Sequence, residues 1–349
     1  MYIELHTASA FSFLEAASLP EALVDQAARF GYSAIALLDR DGVYGAPRFH
    51  RAASAAGIKA LIGAELTIAA PSSLHSALSP QPSALRIPVL VESAEGYRNL
   101  CRLVTRMKMR APKGEGALAL DELDGQTRGL VALAGRELLG FEKYGVGGLI
   151  DPLVGLFGRD HVYVELQRHF LRDEEADNRA LADIAGAFHV PLVATNGVRF
   201  ADQRERPLFD VLSCIHYKTN LAQAGRKLAR NAERYLKPPE EMTRLFRDWP
   251  AAVTSTEALA ERLEYTMADL GYRFPDYPVP PGETHASFLR KLTDLGARER
   301  YRPYHDRARA QIARELDLIE RLDLAGYFLI VWDIVNFCRQ QGILVQGRG

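Results

Sequence analysis

Cysteine is scarce: Cys101, Cys214 and Cys338 are three residues in 349, odd in number and more than a hundred positions apart. No Cys-x-x-Cys or Cys/His spacing accompanies them, so neither a disulfide framework nor a zinc finger is supported, and a reducing cytoplasm fits. An excess of one charge is lacking too. With 43 Lys and Arg against 44 Asp and Glu the net charge is −1, so contact with nucleic acid has to come from local patches rather than a global field. Long hydrophobic runs are missing: the longest strongly apolar stretch, 327–332, is broken by Asp333 and is far too short to span a membrane. The opening Met1-Tyr2-Ile3-Glu4-Leu5-His6 has no basic or apolar region of the signal-peptide kind.

What is present is an ordinary globular balance, 48% hydrophobic and 25% charged, in a chain about twice the length of a typical domain. The first two hundred residues alternate short apolar runs with amphipathic helical patterns, the rhythm of repeated β-α units. Ile3-Glu4-Leu5 reads as a strand. Ser18-Leu19-Pro20-Glu21 reads as a capping box, followed by a helical face of Leu23, Val24, Ala27 and Ala28 ended by Gly31. Further strands are expected at 34–37, 60–62, 88–91, 130–133, 162–166 and 191–194, with helices near 46–56 and 95–109. About seven strands with interleaved helices fit an α/β barrel or a parallel open sheet, and periodicity does not choose between them. Residues 69–86, rich in Ser, Pro and Ala without periodicity, read as a loop insertion.

After residue 200 the pattern turns helical, with a second capping box expected at Thr254-Ser255-Thr256-Glu257. The Pro-rich run from Phe274 to Gly282 cannot continue a helix and marks a connector. The domains are therefore read as 1–200, a helical extension 201–273, a connector 274–284 and a last segment 285–349. In that segment Ile312, Leu316, Ile319 and Leu322 form a helical stripe. The following helix, about 326–340, is apolar nearly all round and is expected to be buried. A strand 343–345 and the turn Gly347-Arg348-Gly349 follow, and the stop there reads as a cut.

Polar, metal-competent side chains fall where inner strands end: His6 in Leu5-His6-Thr7, Asp39 in Leu38-Asp39-Arg40-Asp41, and Glu65 in Gly63-Ala64-Glu65. Strand ends are where α/β barrels build active sites. As an ordered set these stretches resemble the PHP domain of bacterial C-family DNA polymerases, the DNA polymerase III alpha subunits and their error-prone relatives. The resemblance runs through LHTASAFSFLEAAS (5–18), LLDRDGVYGA (37–46), IGAEL (62–66), EGYRNLCRLVTR (95–106), YVELQRH (163–169), PLVATNGVRF (191–200) and FDVLSCI (209–215). It continues through YPVPPGET (277–284) and the run from Leu322 to Gly349, which resembles the start of the polymerase palm. The FSFL, AAS and NLCRL wording is closer to the error-prone branch.

The resemblance implies a distorted (β/α)7 barrel of the PHP type, a helical connector and an incomplete palm. It implies a DNA-directed DNA polymerase of the repair or translesion kind, using DNA, deoxynucleoside triphosphates and Mg²⁺, with other replication or repair proteins as further partners and no membrane contact. It also implies that Gly347, Arg348 and Gly349 belong to the turn whose backbone cradles the incoming nucleotide, and that the palm carboxylates lie beyond it.

Intact PHP sites hold a small cluster of metal ions on His, Asp, Glu and Cys. Laid on this chain, that pattern leaves His6, Asp39, Glu65 and His169, while Ala8, Arg40, Arg86, Gly197 and Arg199 stand where ligands belong. Alanine and glycine offer no donor atom, and a guanidinium stays protonated and repels a cation. The site is therefore expected to hold no metal, with Arg40, Arg86 and Arg199 supplying the missing positive charge to Asp39 and Glu65. A free-standing PHP phosphoesterase or 3′–5′ exonuclease is the alternative enzyme, and a non-catalytic module that binds proteins or DNA is the alternative outside catalysis. Separately, Arg102, Arg106 and Arg110 recur at i, i+4, i+8 within a run, 101–113, of five basic residues and no acid. Such a stripe is a candidate for DNA phosphates.

With the palm carboxylates expected beyond Gly349, the 349-residue chain by itself should extend no primer. Measurable Mg²⁺-dependent incorporation by the purified chain would undo the reading of its last segment.

Overall fold

All six runs expected as strands after residue 30 pair into one sheet: β1 (Ala34–Arg40), β2 (Lys59–Ala69), β3 (Ala84–Val91), β4 (Leu130–Ala134), β5 (Val162–Leu166) and β6 (Leu192–Ala194), in that spatial order. The structure, a computed structural model, describes residues 1–69, 84–112, 115–139, 148–268 and 275–346. It divides into two units, Met1–Leu270 and Gly271–Gly349. β3 runs antiparallel to both neighbours and every other pair is parallel.

The first expected strand makes only isolated bridges, Glu4 with Ile35 and Thr7 with Val198. Its backbone nonetheless serves both edges of the sheet. The Ala36 and Leu38 amides donate to the Glu4 and Thr7 carbonyls at 2.9 and 2.7 Å, and the Val198 amide donates to the His6 carbonyl at 2.8 Å. The N-terminal segment is thus the seventh stave of a distorted α/β barrel.

Strand periodicity explains the layering. One set of alternate residues, including Leu61, Leu90, Val131, Leu133, Tyr163 and Val193, points inward and forms an apolar plug with Ile3 and Leu5. The other set, including Ile35, Leu37, Ile62, Leu66, Val89 and Val164, packs outward against helices. Those helices are α1 (Pro20–Arg29), α2 (Ala46–Ala56), α3 (Ala94–Arg110), α4 (Ile150–Phe157) and α5 (Glu174–Phe188). The unit continues with α6 (Arg206–His216), α7 (Leu221–Ala224), α8 (Pro239–Leu245) and α9 (Pro250–Arg262). Leu259, Ala260 and Leu263 join the inner plug, so the interior is apolar on the α9 side. Burying a leucine there contributes about 1.5–3 kcal/mol.

Several local expectations change. α1 begins at Pro20 with no side-chain cap, because the Ser18 hydroxyl is taken by Glu205; its buried face is Leu23, Val24 and Ala27, with Ala28 exposed. The second expected capping box lies inside α9, which starts at Pro250, where a missing N–H is harmless. There Thr256 Oγ1 accepts from the Ile3 amide at 2.9 Å, tying the N-terminal stave to α9. Of the expected loop 69–86, Ala69 ends β2 and residues 84–86 open β3; the remainder lies outside the described residues.

The second unit holds α10 (His285–Arg300), α11 (Asp306–Arg321) and α12 (Ala325–Gln340) around Leu289, Leu316, Ala325 and Leu329. Thr284 caps α10, accepting from the Ser287 amide at 3.1 Å while Ser287 accepts from the Thr284 amide at 2.9 Å. α12 is not buried all round: Tyr327, Trp332, Ile334 and Phe337 are exposed. Three helices share one small core, so only one stripe of α12 is covered. No strand forms at 343–345; Leu344 is 91% exposed, and without a neighbouring strand its backbone has no ladder to join. Among the described residues no helix is long and apolar enough to cross a membrane.

Candidate functional site

The inward alternation that builds the plug also builds the site. Two to four residues further along each strand from the plug, at the end remote from α9, the inward positions become polar. Leu61 leads through Gly63 to Glu65, Leu90 through Pro88 back to Arg86, Tyr163 to Glu165, and Val193 through Thr195 to Gly197 and Arg199. Gly135 follows Leu133 in the same way, and a Cβ there would sit 2.9 Å from the Glu165 carboxylate.

His6 enters from the N-terminal stave and lies between two buried carboxylates. Its Nε2 is 2.7 Å from Glu65 Oε1 and its Nδ1 is 2.7 Å from Glu165 Oε1. Thr195 Oγ1 also donates to Glu165 Oε1, at 2.5 Å. Arg199 holds Glu65 as a fork, Nη2 to Oε1 at 2.6 Å and Nη1 to Oε2 at 3.1 Å. Glu65 and Arg199 are 2% and 7% exposed, so this pair is screened little by water. Two cations, His6 and Arg199, thereby face two anions, Glu65 and Glu165.

The protonation states follow. Burial alone would lower the His6 pKa, but Glu165 and Glu65 outweigh it and raise the value to about 9. Burial would raise the Glu65 carboxyl, yet Arg199 and His6 hold it well below the usual carboxylate range. Glu165 is likewise lowered, burial being overcome by His6. Glu4, further back in the barrel, goes the other way: burial pushes it up to about 7 despite hydrogen bonds from Tyr2, His6 and Asn196.

The other expected site residues separate from this group. Among the described residues Asp39 meets no arginine; it accepts from the Ser9 amide at 2.8 Å, the Ser9 hydroxyl at 3.0 Å and the Ser12 hydroxyl at 2.9 Å. Arg40, expected on Asp39, turns instead to Glu15, because the serine donors already fill the aspartate. Arg86 also pairs with Glu15, at 2.6 Å, and stands 3.8 Å from Glu65. His169 is occupied structurally, its Nε2 bonded to the Asn196 carbonyl at 2.9 Å and its Nδ1 3.1 Å from Glu174. Arg102, Arg106 and Arg110 do share an exposed face of α3, but Arg110 is paired with Glu122 at 2.5 Å. Gly347, Arg348 and Gly349 lie outside the described residues.

A metal cluster does not fit this donor set. Both His6 nitrogens face carboxylates, Glu65 is held by a guanidinium, and Asp39 and His169 are satisfied by other partners. Gly197 has a left-handed backbone, φ 53°, and a Cβ there would lie 2.7 Å from Gln167 Nε2, so a ligand side chain at this position would be strained. Among the described residues no group of three or more His, Cys, Asp or Glu could hold a metal ion.

Sequence reading missed Glu165, Glu15 and the serines of the Asp39 cradle. Glu165 was findable: in Val-Tyr-Val-Glu-Leu it shares the inward parity of Tyr163. Glu15 carries no such signal, since it sits in a loop beside Leu14, itself at φ 65°.

The His6 bridge sets a pH dependence. A histidine whose pKa rises on folding contributes stability that is full below its unfolded value and lost as pH climbs through the folded one. From the ordinary 6.5 to about 9, the stability difference between wild type and His6→Gln should shrink by about 3 kcal/mol. Both proteins are compared in a Glu4→Gln background, because Glu4 titrates at about 7 and its value depends in part on the His6 charge. Urea unfolding from pH 5 to 10 reads this directly, and a difference flat across that range would refute a charged His6.

Comparison with known proteins follows the same outline. Residues 4–169 match the PHP domain and residues 287–349 match the bacterial DNA polymerase III alpha NTPase domain. Error-prone DNA polymerases are similar along the whole chain, that of Mycolicibacterium paratuberculosis at 40% identity and that of Symbiobacterium thermophilum at 35%. In each case the chain spans 33% of the relative's length. Among solved structures, an amidohydrolase from Chromobacterium violaceum covers 57% of this chain and 88% of its own, at 16% identity and a TM-score of 0.41. The chain thus carries a match to the PHP domain and a match to the bacterial DNA polymerase III alpha NTPase domain, and along its whole length it is similar to the N-terminal third of error-prone DNA polymerases.

Proposed function

We propose that these 349 residues are the N-terminal part of an error-prone DNA polymerase in which the PHP barrel is a structural platform and not a hydrolase. One observation carries the second half: the Arg199 guanidinium occupies Glu65 at the inward polar end of the barrel, where a PHP metal cluster would need donors. A divalent ion and a guanidinium compete for the same carboxylate. Here the guanidinium is built in and Ala8 and Gly197 contribute no donor to oppose it. The barrel is then held by internal ion pairs, and a free-standing phosphoesterase or exonuclease is disfavoured. The first half is supported by whole-chain similarity to polymerases bearing that name. In that reading the full-length protein works in the cytoplasm in DNA repair, adding deoxynucleotides to a primer with Mg²⁺, alongside other replication or repair proteins.

The full-length protein should extend a primed template in a Mg²⁺-dependent manner, release no nucleotide from a 3′ end by way of the barrel, and carry less than one tightly held transition-metal ion. Two or more such ions, with a hydrolysis lost in His6→Ala, would overturn the platform reading. The exposed stripe of α3 adds a second test, with Arg102 and Arg106 offered to DNA phosphates while Arg110 stays with Glu122. Replacing both by alanine should reduce the slope of log affinity against log salt by about 0.9 per lost contact. An unchanged slope returns them to a merely solvated face.

A further inference from the structure

We propose that the first unit carries a binding pocket for a small phosphate-bearing anion, a phosphomonoester or a diphosphate, held by Arg230, Arg234 and Lys227 beside the Glu65–Arg199 pair. The proposal rests on the metal-free reading of the barrel given above. The pocket has a volume of about 440 Å³, and Arg86, Arg136, Arg199, Lys227, Arg230 and Arg234 line it against one carboxylate, Glu15.

The cations differ in what already neutralises them. Arg199 has Glu65 at 2.6 Å, Arg86 has Glu15 at 2.6 Å, and Arg136 has Asp177 at 2.8 Å. Glu15 is further engaged by Arg40, so it has no charge to spare. Among the described residues, Lys227, Arg230 and Arg234 have no carboxylate within 4.0 Å. Arg234 is the most telling, since it is only partly exposed and its one side-chain hydrogen bond is a long one, 3.4 Å to Gln167 Oε1. Burial and the neighbouring Arg199 push its pKa down to about 10, the mark of a cation short of a counter-charge. Holding such a group out of water costs free energy unless an anion meets it.

The chemistry of the missing partner follows. Guanidinium forks fit the tetrahedral oxygens of phosphate, and several cations in one concavity favour a multiply charged anion over a carboxylate. Phe209, Tyr217, Leu171 and Leu228 form apolar stretches of the wall, so room remains for a group attached to the phosphate. A volume of this size suits a small ligand and excludes a duplex. The wall from Phe209 to Arg234 comes from the helical region after the barrel, outside the segment that matches the PHP domain. Phosphate would thus be held by side chains rather than by a metal cluster.

The test is calorimetric titration of the full 349-residue chain, in excess EDTA, with inorganic phosphate, pyrophosphate and a deoxynucleoside monophosphate. Saturable one-to-one binding is expected for at least one probe. Pyrophosphate as the tightest ligand assigns the diphosphate class, and the nucleotide as the tightest assigns the phosphomonoester class. Arg230→Gln and Lys227→Gln, both exposed positions, should each weaken binding about tenfold without loss of fold, and Arg234→Gln more so. Arg204→Gln, outside the pocket and paired with Asp202, should leave it unchanged. No binding of any probe with the barrel metal-free, or binding indifferent to Arg230 and Lys227, overturns the pocket alone. Binding that appears only with added divalent metal overturns the pocket and the metal-free reading together.

Discussion

Glu65 accepts from His6 on one side and Arg199 on the other, inside the barrel and away from water. Those three residues come from the N-terminal stave, from β2 and from the segment after β6, separated by 59 and 134 positions in the chain. The carboxylate therefore links the elements that close the barrel as well as balancing their charge. Glu165 extends the same chain of contacts from β5 through His6. Few buried groups could be altered singly here without leaving an unpaired charge behind, and that asymmetry is larger than the net worth of any one pair.

Carboxylates gathered inside one end of a barrel pose a definite electrostatic problem. In a region of low dielectric they either take up protons or find fixed cations. Both outcomes occur within this molecule. Glu65 is kept charged by Arg199 and His6, whereas the fully buried Glu4 is pushed up to about 7 by burial despite its hydrogen bonds. Asp39 shows a third solution, a cradle of serine hydroxyls and a backbone amide. Arginine suits the first role because its fork meets both carboxylate oxygens and it does not lose its proton.

The platform reading and the phosphate pocket draw on the same surplus of arginine in different ways. Around Glu65 and Glu15 the guanidinium groups are satisfied internally, which stiffens the barrel end. Around Arg230 and Arg234 they are not, which leaves a field directed into a cavity. The first unit thus presents a concave, cationic surface beside its internally paired carboxylates.

What the sequence determined by itself was local. Alternating and helical periods placed all six strands of the sheet and the helices α1, α2, α3, α11 and α12. The resemblance to PHP domains implied that Ala8 and Gly197 stand at ligand positions without a donor atom. Partners were another matter. Arg40 follows Asp39 in the chain, yet it bonds Glu15 and pairs with Asp41 at 3.4 Å, while Arg199 reaches Glu65 across the barrel. Face and parity are fixed by a residue's own strand. Which charge meets which depends on how strands far apart in sequence align, and on which donors, such as Ser9 and Ser12, arrive first. The burial of α12 was decided the same way: an all-apolar sequence makes a helix sticky, but only the neighbours actually packed against it determine how much of it is covered.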